Sequence, residues 1–296
     1  MSERVCAVIV TYNRKDLLRE CLNAVLGQTR PPEHVLVVDN ASTDGTSEML
    51  KEEFPQVEVL RLPKNQGGAG GFHEGMKRAY EMGFDWLWIM DDDTIPYPQA
   101  LEALLTEVPL IQRVANTQPL LLASKVVWKD GTLHPVNTPY PYPSFKDILS
   151  FLDSAVPFCR VRFASFVSLL IHREGVARVG LPCKDFFIYA DDLEYTARFT
   201  RKTKAGFWVK GSVVLHKTAE KGFASFRNPA RMYYDFRNRA WILRQKSAFG
   251  FLGKVWLALN TLGVAIAFLW KAGLSEGWSH LRRGIRDGFR LELPCL

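Results

Sequence analysis

Several things are missing from this 296-residue chain, and each absence removes a class of function. Five cysteines are scattered with no Cys-x-x-Cys spacing, which argues against a zinc site and a disulfide framework and fits a reducing compartment. No Gly-Lys-Ser/Thr follows the glycine-rich stretch, so there is no P-loop; Gly68 does not start a Gly-x-Gly-x-x-Gly fingerprint either, because the third glycine would fall on His73. The residues after the first apolar run, Thr11-Tyr12-Asn13-Arg14, contain no glycine, which excludes the basic glycine loop that a sugar-nucleotide synthase would place there. The N-terminal apolar stretch is about six residues, too short for a signal-peptide core. The chain also has no internal repeat and no low-complexity segment.

What is present alternates cleanly over the first ninety residues. Val5–Val10, Val35–Val38, Val57–Leu62 and Trp86–Met90 are apolar, β-rich runs, and between them lie helical patterns from Leu17 to Leu26, Thr43 to Phe54 and Gly71 to Met82. This order predicts an α/β fold with a mostly parallel, Rossmann-like sheet, whose ligands bind at the carboxyl ends of the strands. Polar residues cluster at those ends: Thr11, Tyr12, Asn13 and Arg14; then Asp39 and Asn40; then Lys64 and Asn65; then Asp91, Asp92 and Asp93. Three adjacent carboxylates repel one another, and a hard divalent cation bridging to a phosphate relieves that repulsion. The glycines that follow Asn65, among them Gly67, Gly68 and Gly70, read as a loop letting backbone N–H groups approach an anion just ahead of a helix.

After Pro96 the alternation breaks down. Pro135–Pro143 reads as an extended loop, Arg160–Ile171 as strand-like, Arg173–Arg178 and Asp191–Thr200 as helices, and Phe207–Leu215 as a strand. Asn228–Lys246 reads as a helix rich in arginine and aromatics, including Arg227 just ahead of it and Arg231, Arg237, Arg239 and Arg244 within it. Phe249–Trp270 is very apolar but broken by Lys254, Asn260 and Thr261, and Lys271, Arg282, Arg283, Arg286 and Arg290 follow; this is the pattern of a helix lying on an anionic membrane surface. The net charge of +7 is compatible with phosphate-rich substrates, an anionic membrane or nucleic acid, but the acidic clusters argue against a polyanion.

The motifs Val8-Ile9-Val10-Thr11-Tyr12-Asn13-Arg14, Asp39-Asn40-Ala41-Ser42-Thr43-Asp44-Gly45-Thr46, Asn65-x-Gly-Gly-Ala-Gly-Gly-Phe and the Asp triplet, in that order, resemble a family 2 glycosyltransferase with the GT-A fold. The resemblance covers residues 5–240, and the glycine-rich form looks like the galactofuranosyltransferase branch. It implies three regions: a nucleotide-sugar-binding half over 1–95, an acceptor-binding and catalytic half over 96–225, and a helical, membrane-associated extension over 226–296. It implies an inverting transfer from a nucleoside diphosphate sugar to a glycan or polyprenyl-diphosphate-linked acceptor, assisted by Mn²⁺ or Mg²⁺, at the inner face of the cell membrane. UDP-galactofuranose is the expected donor, with dTDP-rhamnose as the alternative and a non-catalytic nucleotide-binding scaffold as the rival that would have lost the carboxylates. Carried residue by residue, Asp91, Asp93 and His216 become metal ligands. Asp92 joins Thr11, Tyr12, Asn13, Arg14, Asp39, Asn65, Gly67, Gly68 and Gly70 on the donor. Asp192 becomes the base, its ionised form favoured at a helix start, and Asp191 faces the acceptor. Apart from the resemblance, Trp208, Trp128 and the Tyr140/Tyr142 loop read either as aromatics that stack on acceptor sugar or as core.

Overall fold

A computed structural model describes residues 3–221 and 228–292. The first half follows the expected alternation: β1 (Val5–Thr11), α1 (Lys15–Leu26), β2 (His34–Asp39), α2 (Thr46–Glu53), β3 (Glu58–Arg61), α3 (Gly67–Glu81) and β4 (Trp86–Asp91). These four strands pair in parallel in the order β3-β2-β1-β4. Every residue of β1 is buried, because helices cover both faces of the sheet. Side-chain alternation then sorts the core into two layers. Val5, Ala7 and Ile9 pack with Trp86, Trp88, Leu18 and Leu22 on one face. Cys6 and Val8 pack with Leu87, Ile89, Phe72 and Met76 on the other.

Beyond β4 come β5 (Thr94–Pro96), α4 (Ala100–Ala115), β6 (Leu121–Val127), β7 (Tyr140–Pro141), α5 (Phe145–Leu152), β8 (Phe158–Phe163), β9 (Leu169–His172), α6 (Arg173–Val179), α7 (Asp191–Thr203) and β10 (Gly206–His216). The sheet continues β4-β9-β6-β10-β8-β7, with β5 pairing β10. Here it is mixed: β9 runs antiparallel to both β4 and β6, whereas β6 and β10 are parallel. One continuous sheet therefore joins the two halves and brings His216, at the end of β10, beside the loop that follows β4.

Several expectations are corrected. α4 went unseen because Pro109 interrupts its period; the helix nonetheless continues through it, burying Leu101, Leu104, Val108 and Ile111. β6 and α5 were also missed. The strand expected over Arg160–Ile171 is two strands, β8 and β9, on different neighbours. Cys183 is disulfide-bonded, which departs from the expectation of a disulfide-free chain in a reducing compartment, while Cys6, Cys21 and Cys159 are buried free thiols. Arg227 and Cys295 lie outside the described residues.

Three helices close the chain: α8 (Pro229–Arg244), α9 (Phe251–Ala272) and α10 (Leu274–Arg290). Asn228 caps α8 through its side-chain oxygen, and Pro229 occupies the first turn, where a missing N–H costs nothing. α9, with 22 residues, is long and apolar enough to cross a membrane by length and composition. Its Leu257, Thr261, Val264, Ala265 and Phe268 are buried against the protein. Its Leu252, Val255, Leu259, Leu262, Ile266 and Trp270 form an exposed apolar stripe on the opposite face.

The glycine-rich segment is the first turn and a half of α3, not a loop ahead of it. Asn65 Oδ1 accepts from Gly67 N at 2.8 Å and starts the helix. Gly67 has φ +73°, and a Cβ there would lie 1.9 Å from the carbonyl oxygen of Phe187. A backbone atom cannot give way as a side chain can. Gly67→Ala is therefore expected to destabilise the fold by about 2 kcal/mol or more, read as a lower midpoint in thermal or urea unfolding; an unchanged midpoint would disprove the close contact.

Candidate active site

The site is built at the carboxyl ends of β1 and β4, where chain direction forces loop residues together. Asp91 ends β4, and Asp92 and Asp93 are both at most 5% exposed. Burial of three adjacent carboxylates demands compensation. Thr11 Oγ1 donates to Asp92 Oδ2 at 2.8 Å. Arg14 Nη1 donates to Asp92 Oδ1 at 3.2 Å and to Asp93 Oδ2 at 2.8 Å. His216 Nε2 lies 3.0 Å from Asp93 Oδ1, and its Nδ1 is held by Asn137 Oδ1 at 2.9 Å. Burial alone would raise Asp93, yet His216 and Arg14 together hold it below the usual carboxylate range. Asp91 has less help: burial, then the charges of Asp93 and Asp92, push it far above that range despite the charge of Arg14.

Asp91, Asp93 and His216 each offer one ligand atom, all within 4.8 Å of one another. Two carboxylates and an imidazole suit Mn²⁺, and Mg²⁺ through the oxygens. A divalent cation is also the charge that would return Asp91 to its ionised form. The donor set therefore fits the metal that the sequence implied.

The remaining donor-side candidates divide by what holds them. Tyr12 is 42% exposed, and Asn13, in the left-handed region at φ +52°, accepts from Thr43 N through Oδ1 at 2.7 Å, so it ties the first strand's loop to the second's. Asp39 is fully buried: Oδ1 accepts from Ser42 N at 2.8 Å, and Oδ2 takes Ser47 Oγ at 3.1 Å and Arg61 at 3.3 Å. These contacts give Asp39 a turn-and-cap role, and its carboxylate keeps acceptor capacity beyond them. Of the glycines, Gly67 is spent on Phe187, and a Cβ on Gly70 would strike Gln66; only Gly68 of these three has open space beside it.

The second carboxylate cluster opens α7. Three residues just ahead of it, Phe187 (φ 65°), Tyr189 (φ 64°) and Ala190 (φ 58°), occupy the left-handed region without being glycine. Each costs about 1 kcal/mol or more and persists only where neighbours fix it. Asp191 is 8% exposed, and burial followed by the charge of Asp192 raises it well above an ordinary carboxylate. Asp192 is half-buried and accepts from Leu193 N at 2.7 Å. Burial lifts it to about 6, against the Leu193 N–H and the charge of Arg239. The expectation that the helix start would favour ionised Asp192 is corrected: desolvation outweighs the helix end. The next acid, Glu194, is an internal brace, fully buried and paired with Arg198 at 2.7 Å.

Trp208 is corrected as an acceptor platform. It lies in the first turn of pleat of β10, at the far end of that strand from His216, packed in the core at 4% exposure against Phe151 at 5.1 Å. Tyr140 and Tyr142 are likewise engaged, Tyr140 with Phe163 and Trp256 and Tyr142 with Arg160. Sequence reasoning missed Asn137, which orients His216 from 79 positions away. It also missed His134, whose ring centroid lies 5.2 Å from that of His216.

Comparison with known proteins decides the family. The family model described as Glycosyl transferase family 2 matches residues 6–159. The chain belongs to glycosyl transferase family 2. It is 28% identical to the galactofuranosyltransferase GlfT1 of Mycolicibacterium smegmatis, over 98% of this chain and 99% of that protein. It is 24% identical to the N-acetylglucosaminyl-diphospho-decaprenol L-rhamnosyltransferase of Mycobacterium tuberculosis, over 78% of this chain and 80% of that one. In solved structures it resembles S. aureus TarS 1-349 in complex with UDP-GlcNAc, with a TM-score of 0.64 at 16% identity, covering 96% of this chain and 80% of that chain. The fold is thus GT-A-like, and the protein is a glycosyltransferase.

His216→Ala is expected to weaken Mn²⁺-dependent UDP binding about 10-fold, measured by calorimetry with and without Mn²⁺. Equal affinity in the variant would remove His216 from the metal site.

Proposed function

We propose that this glycosyltransferase moves galactofuranose from UDP-galactofuranose onto a lipid-linked glycan, with inversion at the anomeric carbon. The observation that carries the donor assignment is the end-to-end similarity to a galactofuranosyltransferase. The similarity to a rhamnosyltransferase supports dTDP-rhamnose as the second reading, and the diphospho-decaprenol in that relative's name supports a polyprenyl-diphosphate acceptor.

The chain's residues divide the work. Asp91, Asp93 and His216 would hold Mn²⁺ or Mg²⁺, which when bound neutralises the departing diphosphate. Arg14 and Thr11 fix Asp92 and Asp93 so that the carboxylates keep their positions as the donor enters and leaves. Asp192 takes the proton of the acceptor hydroxyl as its oxygen attacks the anomeric carbon and the bond to the UDP oxygen breaks. A base near neutrality suits this step, since it is ionised at pH 7 and still basic enough to accept. Asp191, raised by burial, stays protonated longer and is able to donate to an acceptor oxygen.

The acceptor's lipid explains the C-terminal helices. α9 is apolar on both faces, one against the protein and one exposed. α10 carries exposed Trp278, Ile285 and Phe289 next to exposed Arg282, Arg286 and Arg290, an interfacial pattern. Asn260 of α9 accepts from buried Arg239 of α8 at 2.7 Å, a bond that a spanning helix would have to break. That bond supports the reading in which the helix lies on the membrane, at its cytoplasmic face.

A donor screen tests the reading: UDP-galactofuranose should be turned over with Mn²⁺ and dTDP-rhamnose should not, and the opposite pattern would select the second reading. Asp192→Asn should keep UDP affinity and lose transfer by about 10²- to 10⁴-fold. Because the base must be ionised, kcat of the wild type should fall as pH drops through about 6; a flat profile from pH 5 to 7 contradicts the assignment. Leu259→Glu with Ile266→Glu should reduce sedimentation with anionic vesicles about 10-fold or more, and unchanged sedimentation would refute the interfacial helix.

A further inference from the structure

We propose that Asn238 and Arg237 of α8 are positioning residues for transfer, locking the 185–190 turn in the one conformation that presents Asp192 to the acceptor. This rests on the assignment of Asp192 as base. The turn contains the three left-handed non-glycine residues, so its backbone does not hold that shape by itself. Its carbonyls show what does. Asn238 is fully buried, and its Nδ2 lies 3.1 Å from the Phe186 oxygen, 3.0 Å from that of Ile188 and 2.7 Å from that of Tyr189. Arg237 Nη2 donates to the carbonyls of Asp185 at 2.8 Å and Phe186 at 2.9 Å. Asn238 Oδ1 accepts from Arg237 Nε at 2.9 Å and from Nη2 at 2.7 Å. A guanidinium can only donate, so this contact fixes which end of the Asn238 amide faces the turn.

The same turn is gripped from the donor side. Ala69 N donates to the Phe187 oxygen at 3.1 Å, and Asn40 Nδ2 donates to the Gly67 oxygen at 2.7 Å. Tyr234 of α8 packs on the Phe187 ring at 5.0 Å. The turn is therefore the junction at which the nucleotide-side helix α3, the base-bearing helix α7 and the C-terminal helix α8 meet. α10 presses on α8 directly behind the pair: a Cβ on Gly288 would lie 2.2 Å from the Arg237 carbonyl oxygen. Neither Arg237 nor Asn238 needs to touch substrate. A shift of the turn by an ångström moves Asp192 out of line with the acceptor hydroxyl, which is enough to slow a positioned proton transfer.

The test compares Asn238→Asp, which keeps the size and the oxygens for Arg237 but removes the donor to three carbonyls, with Arg237→Lys, a milder loss that keeps the charge. Each full-length variant is assayed with UDP-galactofuranose and Mn²⁺ for kcat and donor KM, for UDP affinity by calorimetry, and for its melting midpoint; Asp192→Asn runs beside them. In Asn238→Asp, kcat is expected to fall about 10- to 100-fold with UDP affinity and donor KM within about 3-fold, and Arg237→Lys should fall less and in the same pattern. If Asn238→Asp does not fold, the Arg237→Lys pattern decides. Near-normal kcat in the folded variants, or loss of kcat only in step with loss of UDP affinity and melting midpoint, overturns the proposal. Normal turnover in Asp192→Asn instead overturns the base assignment, whatever the α8 variants do.

Discussion

Everything near the site follows from crowding three carboxylates at the end of one strand. β4 delivers Asp91 to the rim, and the chain turns at once, so Asp92 and Asp93 are carried back under cover. In that position their charges are tolerable only with counter-charges nearby. Arg14 comes from the end of β1 and His216 from the end of β10, so the compensation is drawn from strands at positions 11 and 216 of the chain. The mixed half of the sheet has a purpose in this light. Inserting β9 between β4 and β6 sets the distance at which β10 runs, and β5 pairs with β10 so that His216 faces Thr94 across the ladder.

The second constraint is conformational. In the proposed reaction a proton acceptor stands opposite the donor's anomeric carbon, and its candidate, Asp192, follows a turn that would not keep its shape alone. The cost of that turn is met by neighbours from three directions, α3, α7 and α8. The C-terminal helices are thus coupled to the second carboxylate cluster: α10 contacts α8, and α8 holds the turn ahead of Asp192.

Much of this was legible in the sequence where chemistry and periodicity agree. The parallel strands β1, β2 and β4 were readable because their apolar runs are buried on both faces, and the Asp triplet because nothing about a strand end calls for three carboxylates. His216 was readable as the residue that ends an apolar strand. What stayed hidden has definite physical causes. Pro109 sits inside α4 and breaks the pattern that would reveal it. The glycines of 67–71 look like a loop because helix propensity disfavours glycine, yet tight packing against Phe187 decides otherwise. Trp208 looks like a sugar platform because aromatic residues serve both purposes, and only burial separates them. Asn137, Asn238 and Arg237 act across 79, 49–52 and 51–52 positions of sequence, and no local pattern encodes a partner so far away.

The most direct test of the central claim is anomalous diffraction at the manganese edge from crystals grown with Mn²⁺ and UDP. The account predicts one strong peak among Asp91, Asp93 and His216, within bonding distance of a UDP diphosphate oxygen. UDP bound with no manganese peak there, or a peak held by other residues, would contradict it.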